Sequence, residues 1–137
     1  MPSTHGAVIF SGDGVMFEAG NAEFSNSIVV FTKVLLDTGN AYDPSTGKFT
    51  ALYPGLHFFE TMICFNMWYE FSIRKNGYTM VESDYDRTSS EQVCRSITVF
   101  TFLKTGDIVY VYLHYTDNRL NPVIPNVDNK FGGYLIQ

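Results

Sequence analysis

Residues 31–59 read FTKVLLDTGNAYDPSTGKFTALYPGLHFF, an apolar run followed by turn signals in quick succession. Gly39-Asn40, Tyr42-Asp43-Pro44, Thr46-Gly47 and Pro54-Gly55 punctuate the stretch. Gly39, Gly47 and Gly55 suit reversals that need freedom in φ, while Pro44 and Pro54 preset φ and remove a ladder donor. The pieces between these turns are too short for helices and rich in Phe, Val, Leu and Thr. That rhythm predicts short strands joined by tight turns, hence an all-β sandwich or barrel.

The same reading extends along the chain and predicts strands over 6–11, 27–36, 48–51, 55–65, 68–75, 78–82, 93–103, 107–115 and 131–136. Arg74-Lys75-Asn76-Gly77-Tyr78 is the clearest hairpin signal, because Asn-Gly suits the two positive-φ positions of a type I′ turn. Lys104-Thr105-Gly106-Asp107 forms a second short turn. In 107–115, Ile108, Tyr110, Tyr112 and His114 alternate with Val109, Val111, Leu113 and Tyr115. Neither side is polar enough for plain solvent surface, so one face is expected in the core and the Tyr110/Tyr112 face in a subunit interface. Strand 55–65 is also apolar on both sides, and the two together predict an oligomer.

At 137 residues the chain is read as a single domain, with its own core and residues 1–6 as a flexible N-terminal segment. Nine Tyr, twelve Phe and one Trp are enough for a Phe-rich core or for an aromatic contact surface. The net charge is −5 with only nine Lys and Arg, so the basic stripe of a nucleic-acid binder is missing. No apolar run approaches the roughly 20 residues that span a bilayer as a helix. Residues 1–6 have neither the basic nor the apolar region of a signal peptide, so the protein is either cytosolic or its leader has been removed. No Asn-x-Ser/Thr acceptor occurs. Cys64 and Cys94 belong to no CxxC or Cys/His ligand pattern. Two buried thiols and a cross-strand disulfide both fit them.

Phe31, Lys33-Val34-Leu35, Gly39, Tyr42-Asp43, Thr46-Gly47-Lys48-Phe49, Ala51 and Pro54-Gly55 are followed by Asn76-Gly77, 103-LKTGDIV-109 and the closing 131-FGGYL-135. In this order and spacing the chain resembles the globular head of complement component 1q, the domain of adiponectin, related to the tumour necrosis factor fold. The resemblance runs from about Ala7 to Ile136. It implies a jelly-roll sandwich of about ten antiparallel strands, a homotrimer and a secreted recognition module rather than an enzyme. It also implies that 55–65 and 93–103 are antiparallel neighbours with Cys64 facing Cys94, which favours the disulfide in an oxidising compartment. The sequence has no collagen-like stem, and in this it resembles stem-less invertebrate members, often from molluscs, that act as lectin-like pattern-recognition proteins.

Glu82, Asp84, Asp86 and Glu91 fall within ten residues, and clustered carboxylates suit calcium, which takes six to eight oxygens. The resemblance implies calcium near this loop, with Asp84, Asp86 and Glu91 as ligands. His5, His57 and His114 have no metal spacing, and no nucleophile elbow or paired glycosidase carboxylates occur. For a sugar, the useful set is an aromatic platform, oriented polar groups and, for an acidic sugar, an arginine. Tyr115, Asp117, Asn118 and Arg119 supply that set within five residues, and Trp68-Tyr69 is a second aromatic candidate. The expected function is therefore a trimeric lectin of innate immunity that binds microbial polysaccharide, lipopolysaccharide or sialylated glycans. The alternative is a cytokine- or adiponectin-like module that engages a receptor at protomer grooves.

Overall fold

The computed structural model describes residues 14–25, 27–65, 69–83, 93–115 and 129–137, which form ten strands and no helix among the described residues. The strands are β1 Met16–Ser25, β2 Ile28–Asp37, β3 Tyr42–Asp43, β4 Lys48–Thr50 and β5 Gly55–Phe65. They continue as β6 Tyr69–Lys75, β7 Tyr78–Glu82, β8 Val93–Leu103, β9 Ile108–Tyr115 and β10 Lys130–Leu135. One layer runs β2-β1-β10-β5-β8, and the other runs β3-β4-β9-β6-β7. Every pairing is antiparallel, and Ile28↔Tyr112 and Val29↔Val111 stitch β2 to β9 where the layers meet. The expected all-β sandwich is what the chain forms.

Strands 55–65, 78–82 and 93–103 fall where the apolar runs placed them. The expected strand at 6–11 and the segment 1–6 lie outside the described residues. Strand β1 was missed because MFEAGNAEFS is poor in β-branched residues and carries Gly, Asn and Glu, which disfavour strands. Pairing decides it: β1 lies between β2 and β10 and buries Phe17 and Ala19, with a bulge between Glu18 and Ala19. The two-residue β3 reads as a turn in sequence and is a strand only through Tyr42↔Phe49 and Asp43↔Lys48. At Gly39-Asn40 it is Asn40 that takes the left-handed conformation, at φ 54°. Gly47 and Gly55 do have positive φ, as their turns require.

The Asn76-Gly77 hairpin has positive φ at both positions, as a type I′ turn demands. Asn76 then clamps the neighbouring turn: its Oδ1 accepts the Ile108 N–H at 2.9 Å and its amide donates to Asp107 Oδ1 at 3.0 Å. Asp107 Oδ2 also accepts the Lys104 N–H at 2.8 Å, and these bonds hold its carboxyl below the ordinary range. The two tight turns seen in the sequence thus form one hydrogen-bonded end of the sandwich.

Phenylalanines fill the space between the layers. The Phe17 ring of β1 stacks on Tyr42 and Phe49 of the opposite layer, each at 5.1 Å, and meets Phe131 edge-on at 5.0 Å. Tyr42 is buried, and its hydroxyl both accepts the Phe31 N–H and donates to the Phe31 carbonyl. Val109, Val111 and Leu113 are the inward face of β9 and are fully buried. Next to Phe131, a Cβ on Gly133 would lie 2.5 Å from the Phe58 carbonyl oxygen and 2.5 Å from Phe59 Cδ1. Gly133 is thus required by space, and 131-FGGYL-135 can thread between β1 and β5 only with glycines there.

Two stability tests follow from this packing. Gly133→Ala is expected to cost about 1–3 kcal/mol, the usual range for overpacking, read as a lower urea midpoint; an unchanged midpoint would refute the steric argument. His57 is 1 % exposed, stacked on Phe59, and its Nδ1 is 2.9 Å from the Gly55 carbonyl. Burial pushes its pKa below the ordinary value, so the folded chain keeps it neutral where the unfolded chain is protonated. Stability is therefore expected to fall as pH drops below about 6.5, the unfolded value, until the folded pKa is passed. His57→Phe should flatten urea stability between about pH 7 and pH 5, and an unchanged slope would count against the assignment.

Candidate functional site

One end of the sandwich gathers the ends of strands that are far apart in sequence. Phe65, the last residue of β5, pairs with Val93, the first of β8, and Tyr69, the first of β6, pairs with Tyr115, the last of β9. Lys130, which opens β10, pairs with Met62, and Ser83 after β7 donates its N–H to the Phe71 carbonyl. The strand ends flanking 66–68, 84–92 and 116–128 therefore lie together. The sequence treated Trp68-Tyr69 and Tyr115–Arg119 as separate candidates, whereas the β6/β9 register puts Tyr69 directly opposite Tyr115. Trp68, Asp117, Asn118, Arg119, Asp84, Asp86 and Glu91 lie outside the described residues.

Cys64 organises this end. It is joined to Cys94 by a disulfide across the β5/β8 pair, and its N–H donates to Asn129 Oδ1 at 2.7 Å. Asn129 is buried at 3 % exposure just before β10. Thr61 Oγ1, also buried, donates to the Lys130 carbonyl. One cysteine thus ties the ends of all three flanked segments to the same point of β5. Closing the 30-residue separation by a covalent bond restricts the unfolded chain by roughly 3–4 kcal/mol on the loop-entropy account.

Below this end the two layers present different outer faces. On the β4/β9/β6 layer, Tyr110 and Tyr112 are half-buried and each lies under a cation of its own chain. Lys48 Nζ is 5.8 Å from the Tyr110 ring centre, and the Arg74 guanidinium carbon is 3.6 Å from that of Tyr112. Register places Arg74 opposite Tyr110, Ser72 opposite Tyr112 and Glu70 opposite the exposed His114. These tyrosines are the expected interface residues, yet their own protomer already covers much of them.

The larger exposed aromatic surface is on the other layer and was not singled out in the sequence. Phe58 packs on Phe100 at 5.0 Å and on Tyr134 at 5.4 Å. Phe100 remains 64 % and Phe102 73 % exposed, and Leu36 adds to the same face. A cleft of about 210 Å³ lies over Gly132 and Gly133, between Leu36 and Phe58, with Glu18, Glu60 and Lys130 along it. The signal was present as Phe100-Thr-Phe102, a period-2 repeat whose even-numbered side faces outward. Among the described residues no three His, Cys, Asp or Glu side chains come together as a metal site.

This architecture has close counterparts. The chain is 29 % identical over 110 residues, 79 % of its length, to complement C1q tumor necrosis factor-related protein 7 of Mus musculus. It is 28 % identical over 114 residues, 82 % of its length, to heavy metal-binding protein HIP of Mytilus edulis. It spans 38 % and 53 % of these two relatives, so it corresponds to only part of each. In fold it matches the globular domain of the zebrafish complement 1qA protein, with a TM-score of 0.68 at 19 % identity, over 91 % of this chain and 98 % of that one. Murine APRIL superposes with a TM-score of 0.73 at 10 % identity, over 90 % of this chain and all of that one, which places the sandwich among jelly rolls. The C1q domain model matches residues 15–136, nearly the whole of the described sandwich. A jelly roll closed by the 131-FGGYL-135 strand is matched along its length by that model, and the chain belongs to the C1q domain family.

Proposed function

We propose that the chain is a secreted, homotrimeric, lectin-like recognition protein of innate immunity, binding acidic or microbial surface glycans at the end where the β5/β8 and β6/β9 strand ends meet. The observation that carries this is the convergence of the strand ends flanking every long polar segment, with Tyr69 opposite Tyr115. Two tyrosines at paired positions beside polar segments would suit a sugar, which needs an aromatic surface and directed hydrogen bonds. Tyr115 and Asn118 would meet the ring, with Arg119 answering a carboxylate. The Cys64–Cys94 disulfide suits an extracellular compartment. A trimer would present three copies of this end side by side, so weak single-site binding becomes strong surface binding through avidity.

The trimer reading draws on the C1q resemblance and on the exposed aromatic face of β5, β8 and β10. A surface that leaves Phe100 and Phe102 mostly exposed is one that association would desolvate. Calcium remains a proposed ligand of the segment from Glu82 to Glu91. Glu82 ends β7 and is exposed, and the other carboxylates of that segment lie outside the described residues. The second reading, a receptor-binding module, is favoured by the likeness to complement C1q tumor necrosis factor-related protein 7 and to the APRIL fold.

A glycan array with and without EDTA tests the primary reading. Discrete acidic-sugar hits are expected, with loss in EDTA if calcium takes part, and Arg119→Ala should weaken those hits while keeping its melting temperature, as an exposed charge contributes little to folding. A blank array together with a tight protein partner would favour the receptor module. Analytical ultracentrifugation tests the assembly: three 15.5 kDa chains are expected for the wild type and a single chain for Phe100→Asp, whose charge would be desolvated at the contact. A wild-type monomer would refute the trimer.

A further inference from the structure

The Arg74 guanidinium is short of partners for its position. It lies 3.6 Å above the Tyr112 ring, and its Nε is buried from solvent with no hydrogen-bond acceptor. Among the described residues it has no carboxylate partner either. Arginine offers five donors in a rigid fork, and a buried donor without an acceptor is costly. Structures tolerate few such groups, and each asks for an explanation.

The surroundings sharpen the question. Tyr110 stands opposite Arg74 across the β6/β9 pair and also carries Lys48 over its ring, so two cations converge on two adjacent tyrosines of one outer face. The carboxylates near them are engaged or stand apart. Asp43, opposite Lys48, turns its Oδ1 to the N–H and hydroxyl of Ser45. Glu70 is opposite His114, four residues up the strand from Arg74, or about 13 Å at the usual rise. Glu82 is opposite Ser72, diagonal to Arg74, and forms no ion pair with it. This layer is not the one that exposes Phe100 and Phe102, so association through the aromatic face leaves it accessible.

We propose that Arg74, Lys48, Tyr110 and Tyr112 form a binding site for the carboxylate or sulfate of an acidic saccharide. Arg74 would meet the anion with the guanidinium nitrogens beyond its buried Nε, Lys48 would add charge from the other side of Tyr110, and the tyrosines would provide aromatic edge and hydroxyl contacts. The stacking on Tyr112 holds the guanidinium in place before the ligand arrives, which lowers the ordering cost of binding. The site lies partway along the sandwich, apart from the end formed by β6 and β9, and takes its ligand class from the glycan reading above.

The experiment is a titration of the intact chain with N-acetylneuraminic acid, with glucose 6-sulfate, and with neutral N-acetylglucosamine, followed by proton–nitrogen NMR that includes arginine Nε–H signals. The Arg74 Nε–H is expected to shift with one or both acidic sugars and not with the neutral one. A response to one acid alone identifies the anion class. Arg74→Gln should weaken that binding at least tenfold, and Arg74→Lys several-fold because the fork is lost, with both variants retaining the wild-type circular dichroism spectrum. Shifts confined to residues 116–128, with Arg74 unmoved, would overturn this site while leaving the glycan reading intact. Loss of the fold in Arg74→Gln would shift the decision to the wild-type Nε–H signal alone, and its silence under both acids would overturn the proposal. Silence of every signal with all three sugars would overturn this site and count against the lectin reading as well.

Discussion

Strand β10 must pass between β1 and β5 while placing a phenylalanine inward and almost nothing outward. Phe131 points into the core, where it meets Phe17 edge-on and lies near Phe31, Tyr42 and Phe59. On its flanks the backbone of Phe58 and Phe17 comes so close that Gly132 and Gly133 cannot carry a Cβ without displacement. Without that close approach β1 and β5 would not belong to one sheet, the rings of Phe17 and Phe59 would not reach Phe49, and the two layers would lose their shared core. The same glycines leave the shallow cleft on the outer face, so the packing requirement and the shape of the exposed aromatic surface have one cause.

Most of the fold was legible because its strands carry their own signals. The alternation in β9 separated Val109, Val111 and Leu113 from Tyr110 and Tyr112, and Asn76-Gly77 announced its hairpin. The order of the motifs from Phe31 to Leu135 carries the family resemblance without any contact. What escaped was β1, whose residues have weak strand preference and which is held by its neighbours, and β3, which exists only as a partner of β4. Long-range pairing of this kind leaves little trace in a single sequence, because each strand's own residues need only be compatible with it.

The candidate site was legible in part. Aromatic and charged residues around Tyr115 and Trp68 drew attention by type and spacing. That Tyr69 and Tyr115 are cross-strand partners depends on the register of β6 against β9, which no local pattern encodes. The exposed face of Phe58, Phe100 and Tyr134 was overlooked for a related reason. Each aromatic is unremarkable within its own strand, and their adjacency arises from three strands that are distant in sequence. The cations over Tyr110 and Tyr112 likewise come from β4 and β6, and only the sheet assembles them.

The bond between Cys64 and Cys94 encloses all of β6 and β7, strands that belong to the layer opposite the one it cross-links. A protease that cut the chain once anywhere between these cysteines would therefore release nothing. Both products would stay covalently joined, and β6 would remain hydrogen-bonded to β9. A domain exposed to proteases would gain from this arrangement. A single nick between the cysteines would leave the molecule in one covalent piece, and separating it would take either a second cut in the same loop or a reductant.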